Sequence, residues 1–208
     1  MTGHSPVIVG ITGPSGSGKS LLRTFLDEKG FPCIDADGVY HHLLIPPSPC
    51  LTHLRQAFGD GIFLEDGRPD MPALRKLVFG DPSKLELLNQ TVLGDVLAEI
   101  RRQISTPERQ AAQAIFVDAP TLIESGFHKE CHCVISVLAP VSLRMQRIIQ
   151  RDGLTEEAAA ERIRAQKDDA FYVAHSDVTL HNLGEPKQFL EEAEALLPRL
   201  LSFRKELS

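Results

Sequence analysis

The chain has no apolar run approaching the ~18 consecutive residues of a membrane span, which excludes a transmembrane helix. It has no basic stretch ahead of its first apolar run, which follows Met1-Thr2-Gly3-His4-Ser5-Pro6 and stops at Gly10-Ile11-Thr12, so no signal peptide is expected. Cysteine is scarce. The four present (Cys33, Cys50, Cys131, Cys133) are too few and too unevenly spaced for a disulfide framework in 208 residues. A reduced, cytoplasmic, soluble protein is the expectation. An excess of positive charge is missing as well: 22 Lys and Arg stand against 28 Asp and Glu, a net charge of −6. Neither a nucleic acid nor a membrane surface is expected as a partner unless positive charge is concentrated locally. No internal repeat or low-complexity tract occurs. Tryptophan is absent and there are two tyrosines, so no aromatic-rich base pocket can be read off.

An apolar fraction of 42% is close to the ~45–50% of an ordinary globular chain, which excludes disordered and fibrous classes. Short apolar runs at Val7 to Thr12, Phe31 to Ile34, Ala114 to Val117, Cys133 to Leu138 and, more weakly, Val178 to Leu180 predict strands. Their continuous Val/Ile content suits a parallel sheet covered on both faces. Helical patterns fall between them: Ser20 to Lys29, ending at Gly30, and Lys84 to Ile104 with Leu85, Leu88, Val92, Val96, Ile100 and Ile104 on one face. A further helix is capped by Thr155 and runs to about Asp168, and a last one spans about Pro186 to Phe203, with Pro198 expected to kink it. Alternating strands and helices predict an α/β fold, a five-stranded parallel sheet flanked by helices. The stretch 38–108 reads as a helical insert beside a core made of 1–37, 109–140 and 171–208, with 141–170 as a lid region.

The strongest local signal is Gly13-Pro14-Ser15-Gly16-Ser17-Gly18-Lys19-Ser20, which matches G-x-x-x-x-G-K-[ST] between a strand and a helix. Glycines let backbone N–H groups reach phosphate oxygens without intervening Cβ atoms, and the helix N-terminus adds partial positive charge. Gly13, Ser15, Gly16, Ser17, Gly18, Lys19, Ser20 and Leu21 are therefore expected to hold a nucleotide. Lys19 reaches the β- and γ-phosphates of ATP, and the Ser20 hydroxyl is expected to ligate Mg²⁺. No Asn-Lys-x-Asp guanine-reading motif follows, so a small-molecule kinase is the default over a GTPase.

Asp35-Ala36-Asp37 ends the second strand, at the edge where ligands bind in open parallel sheets. Asp37 is expected to be the general base and Asp35 structural or linked to a metal through water. The plainer alternative is that one aspartate caps the helix beginning near Gly38. Asp118, at the end of the third strand, is equally a partner of magnesium water or a cap. Arg144, Arg147 and Arg151 are spaced to share one helix face, either to meet phosphoryl charge or as a solvated face. Cys131-His132-Cys133 with His128 lacks C-x₂-C spacing and a second ligand pair, so zinc is not expected. His41, four residues after Asp37, falls one helical turn further on the same side.

The phosphate loop, the segment Phe31-Pro32-Cys33-Ile34-Asp35-Ala36-Asp37 and the insert together resemble the dephospho-CoA kinases. The likeness continues through Phe58-Gly59, Asp66-Gly67, Asp70, Phe79, Leu88-Asn89 and Asp118-Ala119-Pro120 with Leu122 and Glu124. It closes over Arg147, Arg151, Thr155, Arg162-Ile163, Gln166, Asp177, Asn182 and Gly184, in order along nearly the whole chain. The resemblance implies transfer of the ATP γ-phosphoryl group to the 3′-hydroxyl of the dephospho-CoA ribose, the last step in making CoA. It also implies a CoA-binding insert, and it favours Arg147 and Arg151 over Arg144 at the phosphates. The chain departs from the family pattern at Pro14-Ser15, Met71, Leu93-Gly94 and Tyr172, where Gly-Ile, Arg, His-Pro and Arg are usual. A kinase for another hydroxyl or nucleotide acceptor, or a non-catalytic nucleotide-binding regulator, are the rival readings. Oligomeric state is not legible.

Overall fold

The structure, a computed structural model, describes residues 5–78 and 80–203. The expectation about a signal peptide, which rests in part on residues 1–4, and the resemblance at Phe79 concern positions outside the described residues. Strand β1 (Val7–Thr12) leads through the glycine-rich loop into α1 (Lys19–Glu28), and β2 (Cys33–Asp35) runs straight into α2 (Ala36–Leu43). Four helices follow: α3 (Pro49–Phe58), α4 (Met71–Val78), α5 (Pro82–Ile104) and the short α6 (Pro107–Gln110). The chain then forms β3 (Ala114–Asp118), β4 (Cys133–Leu138), α7 (Val141–Asp152), α8 (Glu156–Arg164), α9 (Asp169–Ala174), β5 (Val178–His181) and α10 (Pro186–Leu201).

The five strands form one parallel sheet in the order β2-β3-β1-β4-β5. β1 is central, registering Val7 with Ala114 on one side and Val9 with Cys133 on the other. Every residue of β3 and β4 is buried, as expected of runs without polar alternation. The core around this sheet includes Val9, Ile11, Leu26, Phe116, Ile135, Val137 and Phe189. β1 lies where the strand order reverses direction, so the loop that follows it opens at the sheet's ligand-binding edge.

β2 begins two residues later than the apolar run suggests. The Phe31 N–H turns back to Leu26 O at 3.0 Å, and Pro32 has no N–H to give a ladder. The helix expected from Thr155 to Asp168 stops at Arg164. Thr155 does cap it, its Oγ1 accepting from the Ala158 N–H at 3.3 Å. Asp168 is instead the cap of α9, its Oδ1 accepting from the Phe171 N–H at 2.8 Å, so the chain turns between the two helices. The apolar face of α5 is buried at Val96, Ile100 and Ile104 but open at Leu85, which is 46% exposed. Helices α2, α3 and α4, of 8 to 10 residues, are too short to cover all 23 residues of α5. α10 continues through Pro198 to Leu201.

Contacts divide the chain into two compact units. One comprises the described residues up to Ile34 and from Thr106 onward, and the other is Asp35–Ser105. The first holds the phosphate loop and α7 to α9. The second is helical and holds the Asp35-Ala36-Asp37 turn.

Candidate active site

In the first unit, the loop between β1 and α1 turns at three glycines with positive φ: 136° at Gly13, 78° at Gly16 and 110° at Gly18. All three positions exclude a side chain on contact grounds as well, Gly13 and Gly18 most severely. A Cβ on Gly13 would lie 2.2 Å from Val137 O, and one on Gly18 would lie 2.2 Å from Asn182 Nδ2. Gly18 is the N-cap of α1 and supplies no side-chain acceptor to the helix's first amides. Those N–H groups have no carbonyl one turn behind them, so an uncapped helix start here offers hydrogen-bond donors to an anion. Lys19 Nζ donates to Gly13 O at 2.7 Å and Pro14 O at 3.2 Å, which folds the ammonium over the loop. Ser20 is exposed in the first turn of the helix. Ser17, by contrast, is wholly buried, and its Oγ has no hydrogen-bond partner.

The arginine helix packs directly behind this loop. Arg144, 3% exposed, donates from Nε to Ser15 O at 3.2 Å and from an Nη to Gln166 Oε1 at 3.1 Å. Burial pulls its pKa below the ordinary arginine value, and Asp169, whose carboxylate lies 3.7 Å away, acts in the opposite direction. Arg147 donates to Gly16 O at 3.0 Å and to Asn182 Oδ1 at 3.0 Å. Arg151 reaches Ser15 Oγ at 3.3 Å and pairs with Asp152, which also receives Arg162. These two arginines together hold the Asp152 carboxyl below its usual range, the Arg151 hydrogen bond contributing most.

All three arginines therefore meet the loop, so the shared face predicted from their spacing is present. What the spacing does not reveal is the ranking. Arg144 is the deeply buried member, and Gln166 joins it through the turn between α8 and α9, accepting from the Ser15 N–H at 3.1 Å. Asn182, 1% exposed just past β5, is a second partner of the arginine helix. Neither side chain belongs to the phosphate-loop motif; the family likeness runs through both Gln166 and Asn182, but it does not say what they touch.

Asp118 ends β3 with 6% exposure, and its Oδ2 lies 4.0 Å from an Arg23 nitrogen. Tyr172, where the family pattern has arginine, is 3% exposed and packs with Ile123, Leu138 and Phe171. Burial raises the Tyr172 hydroxyl pKa. The Cys131-His132-Cys133 segment is engaged structurally. Cys131 Sγ donates to Phe127 O at 3.5 Å, His132 Nδ1 accepts from the Ile8 N–H at 2.9 Å, and Cys133 lies inside β4. Among the described residues no group of three or more His, Cys, Asp and Glu side chains is placed to hold a metal.

In the second unit, α2 starts one residue after Asp35. Asp35 is its N-cap, and Asp37 stands exposed in the first turn, with His41 exposed one turn later. The plainer reading of the carboxylate pair thus applies to one of its members, and the other is left open to solvent. No helix among the described residues is long and apolar enough to cross a membrane.

The profile of the dephospho-CoA kinase family matches residues 7–188. A dephospho-CoA kinase of Symbiobacterium thermophilum is 35% identical over 188 residues, 90% of this chain and 79% of that one. One from Shouchella clausii is 34% identical over 176 residues, 85% of this chain and 89% of that one. A crystal structure of a Thermus thermophilus protein superposes with a TM-score of 0.79 at 31% identity, covering 95% of this chain and 99% of the other. The chain belongs to the dephospho-CoA kinase family.

Proposed function

We propose that this member of the dephospho-CoA kinase family transfers the γ-phosphoryl group of ATP to the 3′-hydroxyl of the dephospho-CoA ribose, giving CoA and ADP. The observation that carries the nucleotide half is the uncapped start of α1, where a glycine-walled loop, Lys19 and Ser20 come together. Family membership supports the acceptor.

In this reading the loop amides between Gly16 and Ser20 surround the β- and γ-phosphates, with Ser15 and Leu21 at the two ends of the cradle, where their N–H groups donate to Gln166 Oε1 and Gly18 O. Lys19 exchanges its two carbonyl partners for phosphate oxygens, which meets the charge that builds as the β–γ bridge breaks. Asp37 accepts the proton of the 3′-hydroxyl while that oxygen forms the new bond to phosphorus, and the electron pair of the broken bond leaves on ADP. Arg147 and Arg151 place positive charge beside the loop.

Ser20 is a hard oxygen donor at the open end of α1, and Asp118 a carboxylate at the end of β3; both fit a magnesium ion that arrives with ATP. Asp35 is a weaker candidate for such a contact through water, because one of its oxygens already caps α2. When bound, magnesium neutralises phosphate charge. A role for 38–108 as the CoA-binding insert and for 141–170 as a lid that excludes water belongs to the same proposal.

ADP release measured in parallel with dephospho-CoA, adenosine, AMP, shikimate and pantothenate tests it. Release is expected with dephospho-CoA alone among the five. Faster release with any other acceptor, or none at all from a protein that binds ATP, overturns the assignment.

A further inference from the structure

The side of the phosphate loop that faces α7 is held by side chains no local motif contains. Ser15 is gripped at both of its backbone polar groups. Its N–H donates to Gln166 Oε1 at 3.1 Å, and its C=O accepts from Arg144 Nε at 3.2 Å. The ring is closed by Arg144, which donates to the same Gln166 oxygen at 3.1 Å. Two successive peptide planes, on either side of Ser15, are thereby fixed. Arg147 extends the grip by donating to Gly16 O at 3.0 Å and Ser17 O at 3.4 Å.

This has a directional consequence. In a trans peptide the C=O of one residue and the N–H of the next point opposite ways. Carbonyls of Ser15, Gly16 and Ser17 drawn toward α7 turn the N–H groups of Gly16, Ser17 and Gly18 away from it. Contact between loop and helix is close enough to allow little slack: a Cβ on Gly16 would sit 2.8 Å from Arg144 O. Arg144, buried and charged, is compensated by Ser15, Gln166 and Asp169, so burying it costs far less than an unpaired guanidinium would.

We propose that Gln166 and Arg144 are positioning residues for phosphoryl transfer: they clamp the Ser15 backbone from behind and hold the phosphate loop in its anion-binding shape. Gln166 lies in the turn between α8 and α9, so the clamp also ties that turn to the loop. The proposal rests on the kinase reading above for its turnover measurement, though not for its affinity measurement.

The test uses the full chain with three variants. Gln166→Met keeps the length of the side chain and removes the acceptor. Gln166→Glu keeps an acceptor oxygen, and Arg144→Met removes the guanidinium. Gln166 is partly exposed, so its variants keep the fold even if the buried Arg144 variant does not. Thermal midpoint, ATP dissociation constant by titration calorimetry, and kcat and KM for dephospho-CoA are measured.

For Gln166→Met the midpoint is expected to stay within a few degrees of wild type. ATP affinity should weaken about five- to tenfold with a fall in kcat, while KM for dephospho-CoA stays level. Gln166→Glu should return ATP affinity to within about threefold of wild type, because the Ser15 N–H and Arg144 both keep their acceptor. Unchanged ATP affinity and kcat in Gln166→Met, or equal impairment in Gln166→Glu, overturns the proposal. ATP affinity is read without any acceptor. A wild-type protein inert toward dephospho-CoA would sink the function assigned above, and the clamp would still be judged by the calorimetry.

Discussion

Asp35 Oδ1 accepts the Asp37 N–H at 3.1 Å, so the first carboxylate of the Asp35-Ala36-Asp37 turn fixes the backbone that presents the second. The two acids have similar sequence surroundings and different work. Asp35 is partly enclosed and satisfies one of the four orphan amides at the start of α2. Asp37 is exposed in the first helical turn. That division of labour makes the pair separable by mutation.

Asp37→Asn removes the proton acceptor and preserves the size and helix position of the side chain. Turnover with dephospho-CoA is expected to drop by roughly 10²- to 10⁴-fold, the usual contribution of a placed general base. ATP affinity by calorimetry should remain near that of wild type. Turnover within a few-fold of wild type would remove Asp37 from the chemistry.

Asp35→Ala tests the cap. Losing an N-cap acceptor costs about 1 kcal/mol, which corresponds to a fall of about 2–4 °C in the thermal midpoint of a chain this size. Asp35→Ser, which retains a capping oxygen, should recover most of that loss. The activity of either variant should exceed that of Asp37→Asn, because the helix that carries Asp37 still forms. An Asp35→Ala protein with an unshifted midpoint and the turnover of Asp37→Asn would place Asp35 in the reaction instead.

The strands and the loop were legible because their signals are local. Val7 to Thr12 is an apolar run followed at once by Gly13, and the G-x-x-x-x-G-K-S string needs no tertiary partner to be recognised. Gln166 and Arg144 were visible too, but their partners were not, because those contacts span long stretches of chain. Gln166 is 151 residues from the Ser15 amide it binds, and Arg144 is 129 residues from the carbonyl it holds. Helix propensity alone carries the Thr155 pattern on to Asp168, whereas the capping of the Phe171 amide by Asp168 starts a new helix and leaves Gln166 in a turn. Asp35 and Asp37 were both visible, and the geometry of one hydrogen bond separates them.

Lys19→Ala should lower kcat by roughly 10²- to 10³-fold, the scale seen when a preorganised group facing developing charge is removed. It should also weaken ATP binding, since the ammonium lies over the loop at Gly13 O and Pro14 O. Single-turnover rates at saturating ATP separate the two effects. A variant whose saturated rate matches wild type would confine Lys19 to binding.

Cys50 and Cys131 should resist alkylation in the native chain. Burial first, then the charge and hydrogen bond of the Asp95 carboxylate, together push the Cys50 thiol up to about 12. Cys131 also rises to about 12, chiefly by burial and then through Glu130. Both residues are buried, and the thiolate is the nucleophile, so iodoacetamide at pH 8 should label them far more slowly than in denaturant. The same shift has a stability consequence. An unfolded cysteine ionises near pH ~8.5, and the folded thiols keep their protons to about 12. The contribution is therefore whole below about pH 8.5 and declines as pH rises from there toward 12. Urea midpoints should fall between pH 8 and pH 10, and the fall should be smaller in Cys50→Ala than in wild type, each measured against its own value at pH 8. Mass spectrometry showing Cys50 labelled at its denatured rate in the folded protein would mean that the thiol is neither buried nor protonated as its surroundings dictate.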